Sequence, residues 1–532
     1  MALRVRSTGL ALLLALVACP ADVPVPDGTP SRPAGAGGTL RVLMAADVDS
    51  LDPHRAARPS SWFFARALHR GLLGYPNEPF PDGASPAPDL AEAMPTVTAG
   101  ARRYRFLLRE GVAFGAPSDR PIAARDVVAS LQRVIREDKG MARSLSVIRG
   151  AAAYRRGRAG RVTGLRARGP RTIVIRLRHP ASDLPWLLAH PQLAVLPADI
   201  GAPGAVPPVD IAGAGPYRLV RYDPEQRIVL ERNPGWSADP LRRAFVDRID
   251  AQIGIGRDEA ARAIARGDGD LLLEAGPPDL GPLDVPRSAR IVSVVGGCVR
   301  ALFLDTRRGP LRRLQARRAI ALAIRREALP GVPESDPPAL RLLAPAVFGH
   351  RASPVLGESL RLARAALARA GGGFSSTLVV GSGRRDRAEV RAIATSLARA
   401  GIQITRRHVA PAILHRTYAA GSAPMGIVTW CADHPGLSGR NVMDALLSPG
   451  GAVAYSHLDG GPVRRAIEDA ARASSERAPG LWARADRLAV ASAALIPLSW
   501  PAEQVVISAR VAGFGAAPMF PRGDPTNLTV EP

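Results

Sequence analysis

Thr377-Leu-Val-Val-Gly-Ser-Gly-Arg-Arg-Asp386 opens the stretch that decides the fold, which runs on through Ala400 to Gly401-Ile-Gln-Ile404. Leu378-Val-Val380 is a compact apolar run and reads as a strand. Gly381-Ser-Gly383 is a turn. From Asp386 to Ala400 the apolar residues Val390, Ile393 and Leu397 recur at helical spacing and share one face. Gly401 supplies the left-handed cap that ends such a helix. Ile402-Gln-Ile404 is the next strand. A strand, a helix and a strand at this spacing form a βαβ crossover, so the second half of the chain contains parallel sheet.

The same alternation extends outward. A short helix over Ala412–Tyr418 leads to a strand at Met425–Trp430. Upstream, Leu40–Met44, Tyr104–Leu108, Ile173–Leu177 and Ile228–Leu230 read as strands. Asp126–Val134 and Leu314–Leu329 carry helical periodicity. Strands and helices mix on both sides of the middle, so the fold class is α/β. At about 150 residues per domain, 532 residues imply two to four domains.

The chain carries 71 Lys+Arg against 47 Asp+Glu, a formal charge of +24, yet Lys139 is its one lysine. Arginine is spread along the whole length beside heavy Ala, Gly and Pro use. A nucleic-acid interface clusters its cations and usually mixes both types, so nucleic acid is not expected as a partner. Codon bias is the plain account of the arginines; attraction to an anionic surface is the other.

The N-terminus points to export. Arg4 and Arg6 precede the apolar run Gly9–Val17, whose nine residues span only about 14 Å as a helix, short of a roughly 30 Å bilayer core. This is a secretory signal, residues 1–18. Its exit, Leu16-Val-Ala-Cys19, resembles a bacterial lipobox, which makes Cys19 the expected lipidation site. Residues 19–38 are rich in Pro and Gly and read as a tether. The mature chain is expected to be soluble and lipid-anchored outside the cytoplasm.

Nine scattered histidines include no His-x-x-x-His pattern, and no Cys-x-x-Cys exists, so the spaced zinc signatures are absent. There is no Gly-x-Ser-x-Gly elbow. Gly381-Ser-Gly383 lacks the Gly-Lys-Ser/Thr ending of a phosphate loop and is read as a structural turn. No residue is assigned to catalysis or to a metal, and no cofactor is expected. Cys298 and Cys431 remain once Cys19 is acylated. In an exported protein they pair by default, two separate buried thiols being the alternative.

Several stretches resemble the family 5 extracellular solute-binding proteins, the receptors of oligopeptide, dipeptide and nickel ABC importers. They are Gly38–His54 with its Ser50-Leu-Asp-Pro53, Pro88-Asp-Leu-Ala-Glu92, Tyr104–Phe114, Ala123–Leu131, Gly213–Val220 with Ile228–Trp236, Phe303–Thr306 with Ala319–Leu329, Trp430-Cys-Ala-Asp433 and Ile496-Pro-Leu498. They follow family order from residue 38 to about 515. The resemblance implies a two-lobed periplasmic-binding-protein-like fold, type II, cluster C, with a ligand cleft between lobes. It assigns 39–250 to lobe I, including an inserted subdomain around 76–160, 251–499 to lobe II, and 500–532 to a return to lobe I.

The resemblance also implies a site. Asp433 takes the α-ammonium of a peptide. Thr429, Trp430 and Cys431 pair with the extended ligand through their backbone. Ala57, Arg58 and Pro59 pair with its other edge. Cys298 bonds to Cys431. The partners implied are a peptide or other small solute, ABC permease subunits and the membrane through the lipid anchor, with the receptor a monomer. After Asp433 the sequence departs from the family: relatives often continue Tyr-Pro-Asp-Pro, whereas here stands His434-Pro-Gly-Leu-Ser-Gly439. A non-peptide solute such as a metal chelate or sugar, and a sensing role, are therefore kept as alternatives. A secreted hydrolase and a basic protein adhering to anionic polymer are the readings from other classes.

Overall fold

The computed structural model describes residues 37–136, 140–236, 239–273, 288–331, 336–352, 355–432 and 438–531. Its frame is two sheets. The larger has seven strands, in the order Ala289–Val295, Ala502–Ser508, Leu271–Leu272, Thr39–Met44, Arg248–Ile253, Arg227–Arg232 and Tyr217–Asp223. Thr39–Met44 runs parallel to both neighbours. The other has five, in the order Ile402–Val409, Phe374–Gly381, Met425–Cys431, Cys298–Leu304 and Leu495–Ser499.

The central strands of both sheets are buried on two faces, and the period of two along each strand sorts their side chains. Leu40, Val42 and Met44 enter one core while Leu43 enters another. On the smaller sheet Val299, Ala301 and Phe303 face one core, Leu302 and Leu304 the other. Such doubly covered strands lose the apolar–polar alternation of a half-exposed sheet, which is why they read as continuous apolar runs.

The crossover expected around residue 380 is present and longer than its apolar core suggests. Phe374–Gly381 pairs in parallel with Ile402–Val409 throughout, and the helix Arg384–Ala400 joins them. Gly401 sits at φ +97° and returns its N–H to the Leu397 and Ala398 carbonyls. The turn at Gly381–Gly383 is structural: Asp386, in the first helical turn, pairs with Arg300 at 2.9 Å and so occupies that helix end. The helix expected over Leu314–Leu329 ends at Ala323. Ile324 turns extended, and the buried Arg326 donates from Nε to the Pro497 carbonyl at 2.8 Å.

A third sheet, antiparallel, contains Thr96–Thr98, Arg103–Leu107, Thr172–Arg176 and Leu165–Arg168. With the helix Ala124–Arg136 and the segment around Leu184–Leu188 it builds a separate core. Elements of the stretch expected to be an insertion around 76–160 thus continue to residue 188 and beyond. The expected lobe boundary at 250/251 falls inside the seven-stranded sheet, because Leu271–Leu272 and Ala289–Val295 pair there. The chain leaves that sheet through Gly296–Gly297 and comes back through Trp500–Pro501.

Candidate functional site

Cys298 and Cys431 stand directly opposite each other on antiparallel strands and are joined by a disulfide, with S–S 2.05 Å and Cα–Cα 3.9 Å. The bond ties the end of the Met425–Cys431 strand to the start of the strand that follows the Gly296–Gly297 crossing. The Ala432 N–H donates to the Gly297 carbonyl at 3.0 Å. In an antiparallel ladder the residues alternate between bonding the partner and facing away. That bond sets the phase: Trp430 and Val428 bond toward Val299 and Ala301, whereas Cys431 and Thr429 turn their main-chain groups to the opposite side.

On that opposite side the strand has company only at its beginning. Phe374–Gly381 pairs with it at Met425 and Gly426 and then diverges. From Val428 to Cys431 no strand pairs with the second edge among the described residues. Thr429 is exposed, and its hydroxyl accepts from Arg300 Nη1 at 3.0 Å. Arg300 is itself held by Glu389 and Asp386, and these two carboxylates hold its guanidinium above its ordinary pKa despite burial.

Trp430 lines a cavity of about 340 Å³. Its indole Nε1–H donates to Asn441 Oδ1 at 3.1 Å. The cavity's other walls come from two different cores. Leu184 and Leu187 belong to that of the antiparallel sheet, and Trp430 packs on that of the five-stranded sheet. The charged side chains at this junction are Asp183, Arg440, Asp444 and Arg143, with His179 beside them. Arg440 grips Asp183 through two bonds, 2.7 and 3.1 Å, and donates to the Ala471 carbonyl at 2.8 Å. Nearby, Trp186 and Phe348 stack with ring centroids 4.0 Å apart, again one ring from each core. Arg440 is placed by the helix Gly439–Leu447, which Ser438 caps from its side chain. Gly439 is required at the start of that helix, since a Cβ there would lie 2.8 Å from the Trp482 ring.

The expected site residues divide into three groups. Thr429, Trp430 and Cys431 come together with Cys298, at the open edge and beside the cavity. Asp433 and Cys19 lie outside the described residues. Ala57, Arg58 and Pro59 sit at the start of the helix Pro59–Leu68, where the Ala57 and Arg58 N–H groups donate to Asp49 at 2.8 and 3.3 Å. Proline has no N–H. The Arg58 carbonyl accepts from the Trp62 N–H at 3.1 Å and so belongs to that helix. The approach of this stretch is fixed by the Ser50-Leu-Asp-Pro53 run. Asp52 accepts from the Gly204 N–H at 3.1 Å and pairs with both Nη atoms of Arg133. Asp183, Arg440 and Asp444 went unnoticed in the sequence. A faint signal was available: Ser438 capping a helix that carries Arg440 and Asp444 one turn apart.

His54 is buried, its Nε2 2.8 Å from the Ala194 carbonyl, and burial with the Arg133 charge lowers it to about 4, so it is neutral at physiological pH. Among the described residues no group of three or more His, Cys, Asp or Glu is placed to hold a metal ion. Nor is any described helix long and apolar enough to cross a membrane.

Known proteins resemble this chain over most of its length. A solved structure titled clavulanic acid biosynthesis oligopeptide binding protein 2 superposes with a TM-score of 0.79 at 26% identity, covering 93% of this chain and 96% of that one. The unliganded open form of MppA, a periplasmic murein tripeptide binding protein, gives 0.78 at 17%, covering 94% and 99%, a likeness of fold alone. Among curated sequences, the uncharacterized protein YhjP of Bacillus subtilis (strain 168) is 26% identical over 217 residues, 41% of this chain and 32% of that protein. The match thus spans about a third of that relative's length. Residues 85–452 match the profile of the bacterial extracellular solute-binding proteins, family 5 Middle, so the chain belongs to this two-lobed, extracytoplasmic family of binding proteins, which are not enzymes.

Proposed function

We propose that the protein is the receptor of an ABC importer and binds peptides in the cleft between its lobes, delivering them to a membrane permease. The observation that carries this reading is the strand edge from Val428 to Cys431 with which no described strand pairs, beside a cavity that two cores share. An extended peptide adds to such an edge as one more strand, through main-chain bonds that are indifferent to its side chains. Thr429 and Cys431 supply those bonds, Asp433 takes the peptide's ammonium, and Ala57, Arg58 and Pro59 lie along its other edge. The likeness to an oligopeptide binding protein at 26% identity supports the same reading.

In this reading lobe I comprises the seven-stranded and antiparallel sheets and lobe II the five-stranded sheet. The crossings at Gly296–Gly297 and Trp500–Pro501 serve as the hinge. Cys19 carries the lipid that anchors the receptor, and residues 19–38 hold it off the membrane as a monomer. The test is mass spectrometry of small molecules released from the purified protein on denaturation. Peptides are expected; a sugar or a metal chelate in their place overturns the peptide assignment.

A further inference from the structure

We propose that the cavity beside Trp430 selects a cationic group of the bound solute and that Asp444 receives it. The inference rests on the peptide-receptor reading and adds a side-chain preference to it.

The charges around the cavity are not evenly satisfied. Arg440 and Asp183 neutralise each other. Arg143 is exposed at the rim, on the short helix Gly140–Ser144, where water and salt screen it. His179 keeps Nδ1 3.0 Å from the Pro180 carbonyl oxygen, a contact that calls for a hydrogen on that nitrogen. Asp444 differs from all of these. One of its oxygens accepts from the Ser448 hydroxyl at 2.8 Å, and among the described residues no cation lies within ion-pair distance of it. Arg440, one helical turn earlier, is the cation that could have served and is committed to Asp183 and the Ala471 carbonyl.

A half-buried carboxylate without a cation is an unfavourable arrangement that a ligand can relieve. Burial, together with the nearby Asp183 charge, pushes Asp444 above the usual carboxylate range, more than Ser448 and Arg440 pull it down. Trp430 lines the same cavity, and an indole face attracts a desolvated cation. The ring is fixed by its bond to Asn441, so it is a wall and not a flap. A volume of about 340 Å³ accommodates a lysine- or arginine-like side chain. An anionic group entering the same space would meet Asp444 with only a rim arginine in compensation.

The test is calorimetry on the full protein with tetra-alanine peptides carrying lysine at one position at a time. A matching set carries Nε-acetyl-lysine, which keeps the length and removes the charge. At one position lysine should bind wild type about tenfold tighter than acetyl-lysine. Asp444→Asn, which retains an acceptor for Ser448, should erase that difference while leaving tetra-alanine binding in place. The wild-type comparison needs no variant, so a folding failure of Asp444→Asn does not shelter the inference. Equal binding of the two sets to wild type overturns it, as does a lysine preference that survives Asp444→Asn. If no peptide binds, tetra-alanine included, the peptide reading itself falls. The cation inference is then decided by spermidine: binding that Asp444→Asn weakens upholds it, and absence of binding, or binding that Asp444→Asn leaves unchanged, overturns it.

Discussion

Arg440 Nε lies 2.7 Å from one carboxylate oxygen of Asp183 while its Nη2 lies 3.1 Å from the other. This pair fastens a helix packed on the five-stranded sheet to the turn that opens Leu184–Leu188 in the core of the antiparallel sheet. Charge-assisted bidentate bonds of this kind are directional and prefer one geometry. The stack of Trp186 on Phe348 joins the same two cores. Together they join the two cores directly.

Asp183→Ala should therefore loosen the contact between the two cores. Removing the acceptor leaves Arg440 with the Ala471 carbonyl alone and costs that contact about 1–3 kcal/mol. Small-angle scattering of the unliganded variant should give a larger radius of gyration than wild type. Ligand affinity should fall about tenfold, because the binding-competent population shrinks. An unchanged scattering curve would show that the pair does not hold the cores together.

The disulfide should be complete in the exported protein. Thiol labelling of denatured, unreduced material should leave Cys298 and Cys431 unmodified. Closing a loop with a sequence separation of 133 stabilises by about 4–5 kcal/mol on chain-entropy grounds. Cys298→Ala combined with Cys431→Ala should thus lower the denaturation midpoint clearly. It should also weaken binding, since the open edge loses its fixed end.

Asp433 is testable through non-additivity. Asp433→Ala should weaken a free-amine peptide by two to three orders of magnitude, at about 3–5 kcal/mol for a broken buried pair. N-acetylation of the peptide should do similar damage to wild type and little more to the variant. An acetylated peptide that binds wild type as well as the free one removes the amine clamp.

A pH test addresses Asp486, which is fully buried with Oδ1 accepting from the Leu342 N–H at 3.0 Å and Oδ2 3.8 Å from Arg341. Burial pushes its carboxyl up to about 6 from 3.8. The folded state thus favours the protonated acid. Its stabilising effect is present below about pH 4 and lost as pH rises through about 6. The loss is about 3 kcal/mol. Asp486→Asn removes the titration, so the stability of the variant relative to wild type should rise between pH 4 and 7 by about that amount. Parallel denaturation profiles at the two pH values would exclude this assignment.

What could be read in advance follows physical locality. The crossover from Phe374 to Val409 is a local object: its helix face, its cap at Gly401 and its flanking strands all lie within three dozen residues. The strand at Trp430 was legible for the same reason, helped by its resemblance to a known family. Asp183 and Arg440 are 257 residues apart, and nothing local marks either one. In a chain with arginine spread throughout, an arginine that closes a contact between cores looks like any other. Leu271–Leu272 is two residues long, too short to announce itself, yet it sits between Thr39–Met44 and Ala502–Ser508. The helix over Leu314–Ala323 was overrun because its stopping point is set by a distant carbonyl, that of Pro497, and not by a breaker in the sequence.

The strand Ala502–Ser508 is an interior member of the seven-stranded sheet, between Leu271–Leu272 and Ala289–Val295. Beyond it, Asp524 is buried against Arg66 in the helix Pro59–Leu68. Ribosomes synthesise these residues long after Thr39–Met44 and Arg66. Until they emerge, the first half of the protein has a sheet with a missing plank and a buried arginine with no carboxylate. Long-range pairing of this kind is slow, since the ends must meet before any contact rewards them. A nascent chain destined for export gains from that delay: it stays threadable until this late strand has been made. A premature stop before Ala502 should, by the same logic, leave a chain that cannot close its larger sheet and is cleared by proteases.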